Sequence, residues 1–279
     1  MTAALPGAAV IFLYAATACA AASHPATPAA VDPAADRYHD VAAAYLVRAG
    51  DRTLWSASAD RPLPPASLTK IMTALVVLED YRPDDVAETS AHAAGATGKR
   101  IGLARGDRLR VADLLAATVV ASANDACRAL AEWRAGSESR FVELMNERAR
   151  SFGLQHTHFA NACGFDAPGH YASAADLARL AERALAQPVF AALAAKVRMA
   201  IATVDGRRRF DFENANELIG RYAGAIGVKS GYTARAGTCV IAAVERHGVR
   251  VVLVLLNARN RWWDAQRILD DTFDYLATR

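Results

Sequence analysis

Ser67 and Lys70 stand three residues apart in the stretch Pro65-Ala66-Ser67-Leu68-Thr69-Lys70-Ile71-Met72. Behind the prolines the pattern turns helical, and residues three apart share a helix face. A serine hydroxyl is inert at neutral pH, but an amine one turn away can take its proton if burial keeps that amine uncharged. The same spacing also fits an N-cap serine beside a solvated lysine. Two further polar triplets follow: Ser122-Ala123-Asn124 lies between helical segments, and Lys229-Ser230-Gly231 opens a strand-like run.

Each pattern is common alone, but the three in this order and spacing resemble the motif set of penicillin-binding proteins and class A β-lactamases. Here the second motif reads Ser-Ala-Asn and keeps both outer polar groups, and the third reads Lys-Ser-Gly and keeps its hydroxyl. The longer runs Ala66–Ala74 and Gly227–Thr233 are similar to those of the D-alanyl-D-alanine carboxypeptidases, the low-molecular-mass penicillin-binding proteins. Asn161-Ala162-Cys163-Gly164-Phe165 and Asn214-Ala215-Asn216-Glu217-Leu218 resemble that family too, and the likeness extends from about Val41 to Leu276.

The resemblance implies acyl transfer without metal or organic cofactor. Ser67 would attack the carbonyl of a D-Ala-D-Ala peptide, with Lys70 as general base. Ser122 would pass a proton between Lys70 and the departing nitrogen, and Asn124 would offer its amide to the substrate backbone. Lys229 and Ser230 would face the substrate carboxylate. The backbone N–H groups of Ser67 and Tyr232 would form the oxyanion hole, and the bare Gly231 would let a peptide lie against the strand edge. The expected partners are peptidoglycan stem peptides and, as covalent inhibitors, β-lactams. Arg259 and Arg261, and more weakly Arg235, are candidates for holding the free carboxylate, although solvated surface arginines give the same sequence.

The positioning elements are then read from periodicity. A hairpin, Ala44–Arg48 with Thr53–Ser56, precedes a helix from about Ser67 to Glu79 that is apolar on most sides and therefore deeply buried. Arg82–Gly106 is loop-rich. Helices follow at Val111–Val120 and Asn124–Trp133, with Ser122 at their junction. Another runs from Ser137 to Phe152, stopped by Gly153. Ser173-Ala174-Ala175-Asp176 resembles a capping box that opens a further helix. Near the end, Thr238–Val244 and Val249–Leu256 form a buried hairpin, and a last helix places Ala265, Ile268, Leu269 and Leu276 inward. Strands at both ends with helices between them imply an α+β fold: one mainly antiparallel sheet built from both chain ends, with helices on both faces and a helical insert. This agrees with the β-lactamase/transpeptidase-like fold that the resemblance implies.

The 279 residues are 53% hydrophobic with a formal charge of +3, and the 32 basic and 29 acidic residues are interspersed, so nothing argues for a nucleic-acid partner. Residues 1–22 read as a signal peptide, apolar from Gly7 to Ala22 and ending in small residues, although no Lys or Arg precedes Arg37. Residues 23–40 read as an unstructured Ala/Pro-rich lead-in and 41–279 as the catalytic domain alone, periplasmic and without a membrane span after cleavage. Ala16–Cys19 resembles a lipoprotein box without its leading Leu or Val, so a lipid anchor at Cys19 is the lesser reading. Without Cys19 an odd three cysteines remain, and a Cys127–Cys163 bridge is left open. His156 and His158 lack the further ligands of a zinc site.

Among rival functions, a D,D-endopeptidase or transpeptidase would share every residue named. A β-lactamase needs a glutamate after the second motif, and none lies between Glu147 and Glu182. A non-catalytic cell-wall-binding module would have no use for Lys70.

Overall fold

The two longest apolar runs near the C-terminus become the centre of the sheet. In this computed structural model, which describes residues 1–2 and 36–278, strands β8 (Gly237–Arg246) and β9 (Val249–Ala258) form a hairpin. Val252, Val254 and Leu256 face one core, while Val251, Leu253 and Leu255 face another. A strand covered on both faces has no polar side to alternate with, which is why the sequence reads as a continuous apolar run. β9 also pairs antiparallel with β1 (Ala42–Ala49), bringing the two chain ends together, and β1 pairs with β2 (Arg52–Ala57). On the other side β8 pairs with β7 (Ala225–Thr233), giving the antiparallel order β2-β1-β9-β8-β7 with β7 at the edge.

Helix α8 (Arg261–Ala277) covers one face with Ala265, Ile268 and Leu269. The other face carries the helical region. At its centre lies α1 (Lys70–Leu78), in which every residue but Leu78 is buried, as expected for a helix apolar all round. Around it stand α4 (Asn124–Ala135), α5 (Glu138–Ser151) and α6 (Ala174–Leu185). The fold is therefore α+β, as the element order implies. The chain divides into two units, Met1–Asp32 and Pro33–Arg279, and all of these elements belong to the second.

Several details differ from expectation. The ordered body begins before residue 41: Tyr38 is buried, packs edge-on against Tyr45 and Trp55, and donates its hydroxyl to Asp271. The lead-in is therefore shorter than 23–40. The leader, Cys19 and the remaining lead-in lie outside the described residues. Lys229-Ser230-Gly231 sits within β7 rather than opening it. A hairpin of β5 (Arg198–Ala202) and β6 (Arg209–Glu213), a short pair β3 (Val86–Glu88) and β4 (Arg108–Arg110), and helix α7 (Pro188–Ala194) were not foreseen. Ser173 does cap α6, accepting from Asp176 N, but the Asp176 carboxylate does not return the bond. Buried, it accepts instead from His156 N, Thr157 Oγ1 and Arg179. Aspartate is one methylene shorter than the glutamate of a reciprocal box.

Cys127 on α4 and Cys163 form a disulfide across 36 residues, leaving Cys239 as the free, buried thiol among the described residues. Closing a loop of this length lowers the entropy of the unfolded chain by an amount equivalent to roughly 3–4 kcal/mol. Replacing both cysteines by alanine is expected to lower the unfolding free energy in urea titrations by about 2–4 kcal/mol. A loss well under about 1 kcal/mol would show that packing alone holds this loop.

Candidate active site

A short 3-10 turn, Ala66–Thr69, delivers Ser67 to the head of α1. Ala66 adopts φ +49, an unfavourable conformation for a residue with a Cβ, and its surroundings hold it there. Thr69 Oγ1 donates to Ala66 O at 2.8 Å and lies 2.8 Å from His170 Nε2. Ala160 N donates to His170 Nδ1, so Nδ1 is the acceptor and the ring proton sits on Nε2, aimed at Thr69. Burial pushes the His170 pKa down to about 4, which keeps that tautomer neutral.

Three residues on from Ser67, Lys70 has no exposed surface. Its Nζ lies 3.0 Å from Ser67 Oγ, 2.7 Å from Asn124 Oδ1 and 2.6 Å from Cys163 O. Burial lowers its pKa from 10.5 to about 7; Asp125 opposes this and Lys99 adds to it. A neutral Lys70 can donate to Asn124 and Cys163 while accepting the Ser67 hydroxyl proton, the geometry of a general base. The solvated-lysine reading of this spacing is thereby excluded.

The carbonyl of Cys163 is aimed by its own turn. Asn161 Oδ1 accepts from the N–H groups of Cys163, Gly164 and Phe165, and Asn161 Nδ2 donates to Phe165 O. Gly164 has φ +91, and a Cβ there would stand 1.9 Å from Ala66 O, so only glycine fits.

The second motif lies where α3 (Val111–Ala116) passes through a π-helical turn, Ala117–Ala121, before α4 starts. Ser122 is buried there at φ +62. The expected Lys70–Ser122 link is not formed in this structure, where Ser67, Asn124 and Cys163 are the three partners of Lys70 Nζ. Asn124 is largely turned inward: Oδ1 takes Lys70, and Nδ2 donates to Thr97 O at 2.7 Å. Its geometry therefore positions Lys70 and leaves at most one amide hydrogen for a ligand. Asp125, fully buried, accepts from the N–H groups of Ile101, Gly102, Leu103 and Ala126, fastening the loop at 97–103 to α4.

The third motif approaches from β7. A Cβ on Gly231 would stand 2.8 Å from Ser67 N and 3.0 Å from Ala66 Cβ. The space expected for a substrate is thus taken by the Ser67 turn itself. Lys229 is buried, its Nζ donating to Ser230 O at 3.2 Å, and burial, then Lys70, Lys99 and Arg261, hold its pKa well below the usual lysine range. Ser230 donates its hydroxyl to Ala215 O, and Ala215 N donates to Val120 O, tying the third motif to the π-helical turn of the second. The Tyr232 side chain points to solvent. Arg261 is half-buried and donates to Gly231 O at 2.7 Å, whereas Arg259 and Arg235 are exposed. Of the three, Arg261 is thus the one that contacts the third motif.

A family model described as D-alanyl-D-alanine carboxypeptidase, peptidase S11, matches residues 31–260. The chain belongs to this family. It is 33% identical to D-alanyl-D-alanine carboxypeptidase DacF of Bacillus subtilis, over 86% of this chain and 64% of that protein. It is also 33% identical to D-alanyl-D-alanine carboxypeptidase DacC of Escherichia coli, over 98% of this chain and 68% of that protein. The chain thus spans about two thirds of the length of these relatives. Among solved structures, it is similar to the Streptomyces K15 DD-transpeptidase with a TM-score of 0.79 and 28% identity, covering 84% of this chain and 98% of that one.

Lys99, Asp125 and His170 escaped the sequence reading. Asp125 directly follows Asn124 at the start of a helix, a signal that was available; Lys99 and His170 sit in loops without periodicity. His158 is occupied with Gly169 O, His156 stands near Asp60, and among the described residues no group of three His, Cys, Asp or Glu side chains is arranged to hold a metal ion. No described helix is long and apolar enough to cross a membrane.

A lysine with a pKa of about 7 sets the pH dependence. The base form is the uncharged one, so Ser67 acylation should rise with pH through about 7 and then level off. At pH 5.5 the rate should be about thirtyfold below the plateau. Stopped-flow acylation between pH 5 and 9 measures this, and a flat profile would show that Lys70 does not take the proton.

Proposed function

We propose that the chain is a serine-type D-Ala-D-Ala carboxypeptidase acting on peptidoglycan stem peptides. The observation that carries the reading is Lys70 Nζ at 3.0 Å from Ser67 Oγ, in a site that keeps the amine near neutrality. Ser67 passes its proton to Lys70 and bonds to the carbonyl carbon of the penultimate D-Ala. The developing oxyanion is met by the N–H groups of Ser67 and Tyr232, a role supported by the close packing of Gly231 on Ser67 N. Collapse breaks the C–N bond, and the leaving nitrogen takes a proton from Lys70, with Ser122 beside the path as relay. Water then gives a proton to Lys70 and attacks the ester, freeing the shortened peptide. Lys229, Ser230 and Arg261 receive the terminal carboxylate, the anion that their neighbourhood lacks. Asn124 keeps Lys70 in line.

This substrate class goes with an extracytoplasmic location and the leader read at residues 1–22. A second reading, transpeptidation, is favoured by the similarity to the K15 DD-transpeptidase and differs only in an amine replacing water. The β-lactamase reading finds no support in the carboxylates nearby. Asp125 is filled by four N–H donors, and Asp166 accepts from Thr233 Oγ1 and Arg235 N. A binding module without turnover would gain nothing from a buried lysine aimed at a serine.

A β-lactam should acylate Ser67 and stay, because its ring remnant shields the ester and no glutamate lies between Glu147 and Glu182 to serve as a second base. Intact-protein mass after a penicillin pulse should show one adduct that persists for many minutes, while a D-Ala-D-Ala peptide is hydrolysed continuously. Ser67→Ala should take up no label. An adduct that clears within seconds, with catalytic loss of penicillin, would instead establish a β-lactamase.

A further inference from the structure

A chain of hydrogen bonds between buried side chains runs in one direction and ends on the peptide unit of the nucleophile. Ala160 N donates to His170 Nδ1 at 2.9 Å, so the neutral ring carries its proton on Nε2. Thr69 Oγ1, 2.8 Å from Nε2, accepts from the ring and donates its own single proton to Ala66 O at 2.8 Å. None of the three bonds can be reversed while the others stand, because a neutral imidazole has one donor and one acceptor and a hydroxyl has one hydrogen. A charged ring would break the chain, since its Nδ1–H would face Ala160 N–H.

Ala66 O and Ser67 N belong to one planar peptide unit, so the direction of the carbonyl fixes the direction of the N–H. Ser67 N lies against the third motif, where a Cβ on Gly231 would stand 2.8 Å from it. At the carbonyl end the loop closes in at Gly164, where a Cβ would stand 1.9 Å from Ala66 O. Ala66 has φ +49, a conformation that its surroundings and not its own preference maintain. A hydrogen bond to the oxygen also polarises the amide and makes its N–H a better donor. We propose that His170 and Thr69 are positioning residues of the oxyanion hole, holding the Ala66–Ser67 peptide so that the Ser67 N–H meets the oxygen on which charge develops. They act through this peptide rather than by touching the substrate. The proposal rests on the acyl-transfer reading of Ser67 and adds two side chains to which the three motifs give no role.

Penicillin isotope-labelled at the β-lactam carbonyl provides two readouts: the rate constant of Ser67 acylation and the infrared band of the ester carbonyl that forms. Hydrogen bonds from the oxyanion hole lower the frequency of that band. Thr69→Val exchanges the hydroxyl for a methyl of similar size. It should slow acylation at saturating penicillin about thirtyfold, short of the roughly hundredfold or more lost when an oxyanion donor is deleted. Penicillin binding before acylation should change by less than about twofold, as for an interaction made in the transition state. The band should move to higher wavenumber, and Thr69→Ser should retain both the rate and the band. His170→Phe should match Thr69→Val, and the double variant should be no slower than either single, because the two residues act in series. Wild-type acylation by Thr69→Val would overturn the proposal, since His170 reaches Ala66 O only through this hydroxyl. Slow acylation with an unmoved band would overturn it too, and so would losses that multiply in the double variant. If His170→Phe does not fold, the Thr69→Val and Thr69→Ser pair decides alone. D-alanine release does not enter this test, so failure of the carboxypeptidase reading leaves it standing, whereas a wild type that penicillin does not acylate overturns both.

Discussion

A lysine side chain buried without a carboxylate partner is the constraint from which this structure is organised. A pKa lowered from 10.5 to about 7 corresponds to roughly 5 kcal/mol against the charged form. The oxygens of Asn124 and Cys163 give the buried amine acceptors for its N–H groups, which would otherwise be left unpaired. Each acceptor requires its own scaffolding. Asn124 is held through Thr97 and the start of α4, and Cys163 through Asn161, the disulfide and a glycine that alone permits contact with Ala66. The same lysine affects stability in the opposite sense to its chemistry. The unfolded chain keeps the proton up to about pH 10.4, while the folded chain releases it near 7. This group therefore opposes folding most at low pH, and its contribution shifts toward folding as pH rises from about 7 to 10.

Much of this was legible because some features are local. Ser67 and Lys70 face each other through helix geometry alone, and α1 declares its burial by being apolar on all sides. The central strands β8 and β9 are evident because both faces are covered. The partners of Lys70, 54 and 93 residues away, have no local signature, and only the family resemblance drew attention to Asn161–Phe165. The role expected of Gly231 was incomplete for the same reason, since its close neighbour is the Ser67 turn from a distant part of the chain. The β5–β6 hairpin was missed although Arg209-Phe210-Asp211-Phe212-Glu213 alternates with a strand period. Three-residue strands such as β3 and β4 carry too little pattern to be read. The disulfide stayed open because an odd cysteine count does not choose a pair, whereas the fold places Cys127 and Cys163 side by side.

The two buried lysines face opposite demands. On the proposed carboxypeptidase reading, Lys70 must be able to lose its proton, and Lys229 must carry one when a carboxylate arrives. Burial depresses both, and Lys70 further depresses Lys229, so in the empty cleft both are short of charge. An incoming carboxylate changes this unevenly, because it approaches along β7, where Lys229 lies, whereas Lys70 is sealed behind Ser67 and Asn124. Lys229 gains a counterion and the charged form becomes favourable. Lys70 then feels a fuller positive charge close by, which favours its own neutral form. Binding of the anion at one lysine thus pushes the other toward the state that removes the proton from Ser67. Ligands lacking the carboxylate forgo this, so the charge that anchors a substrate also readies the base that deprotonates Ser67.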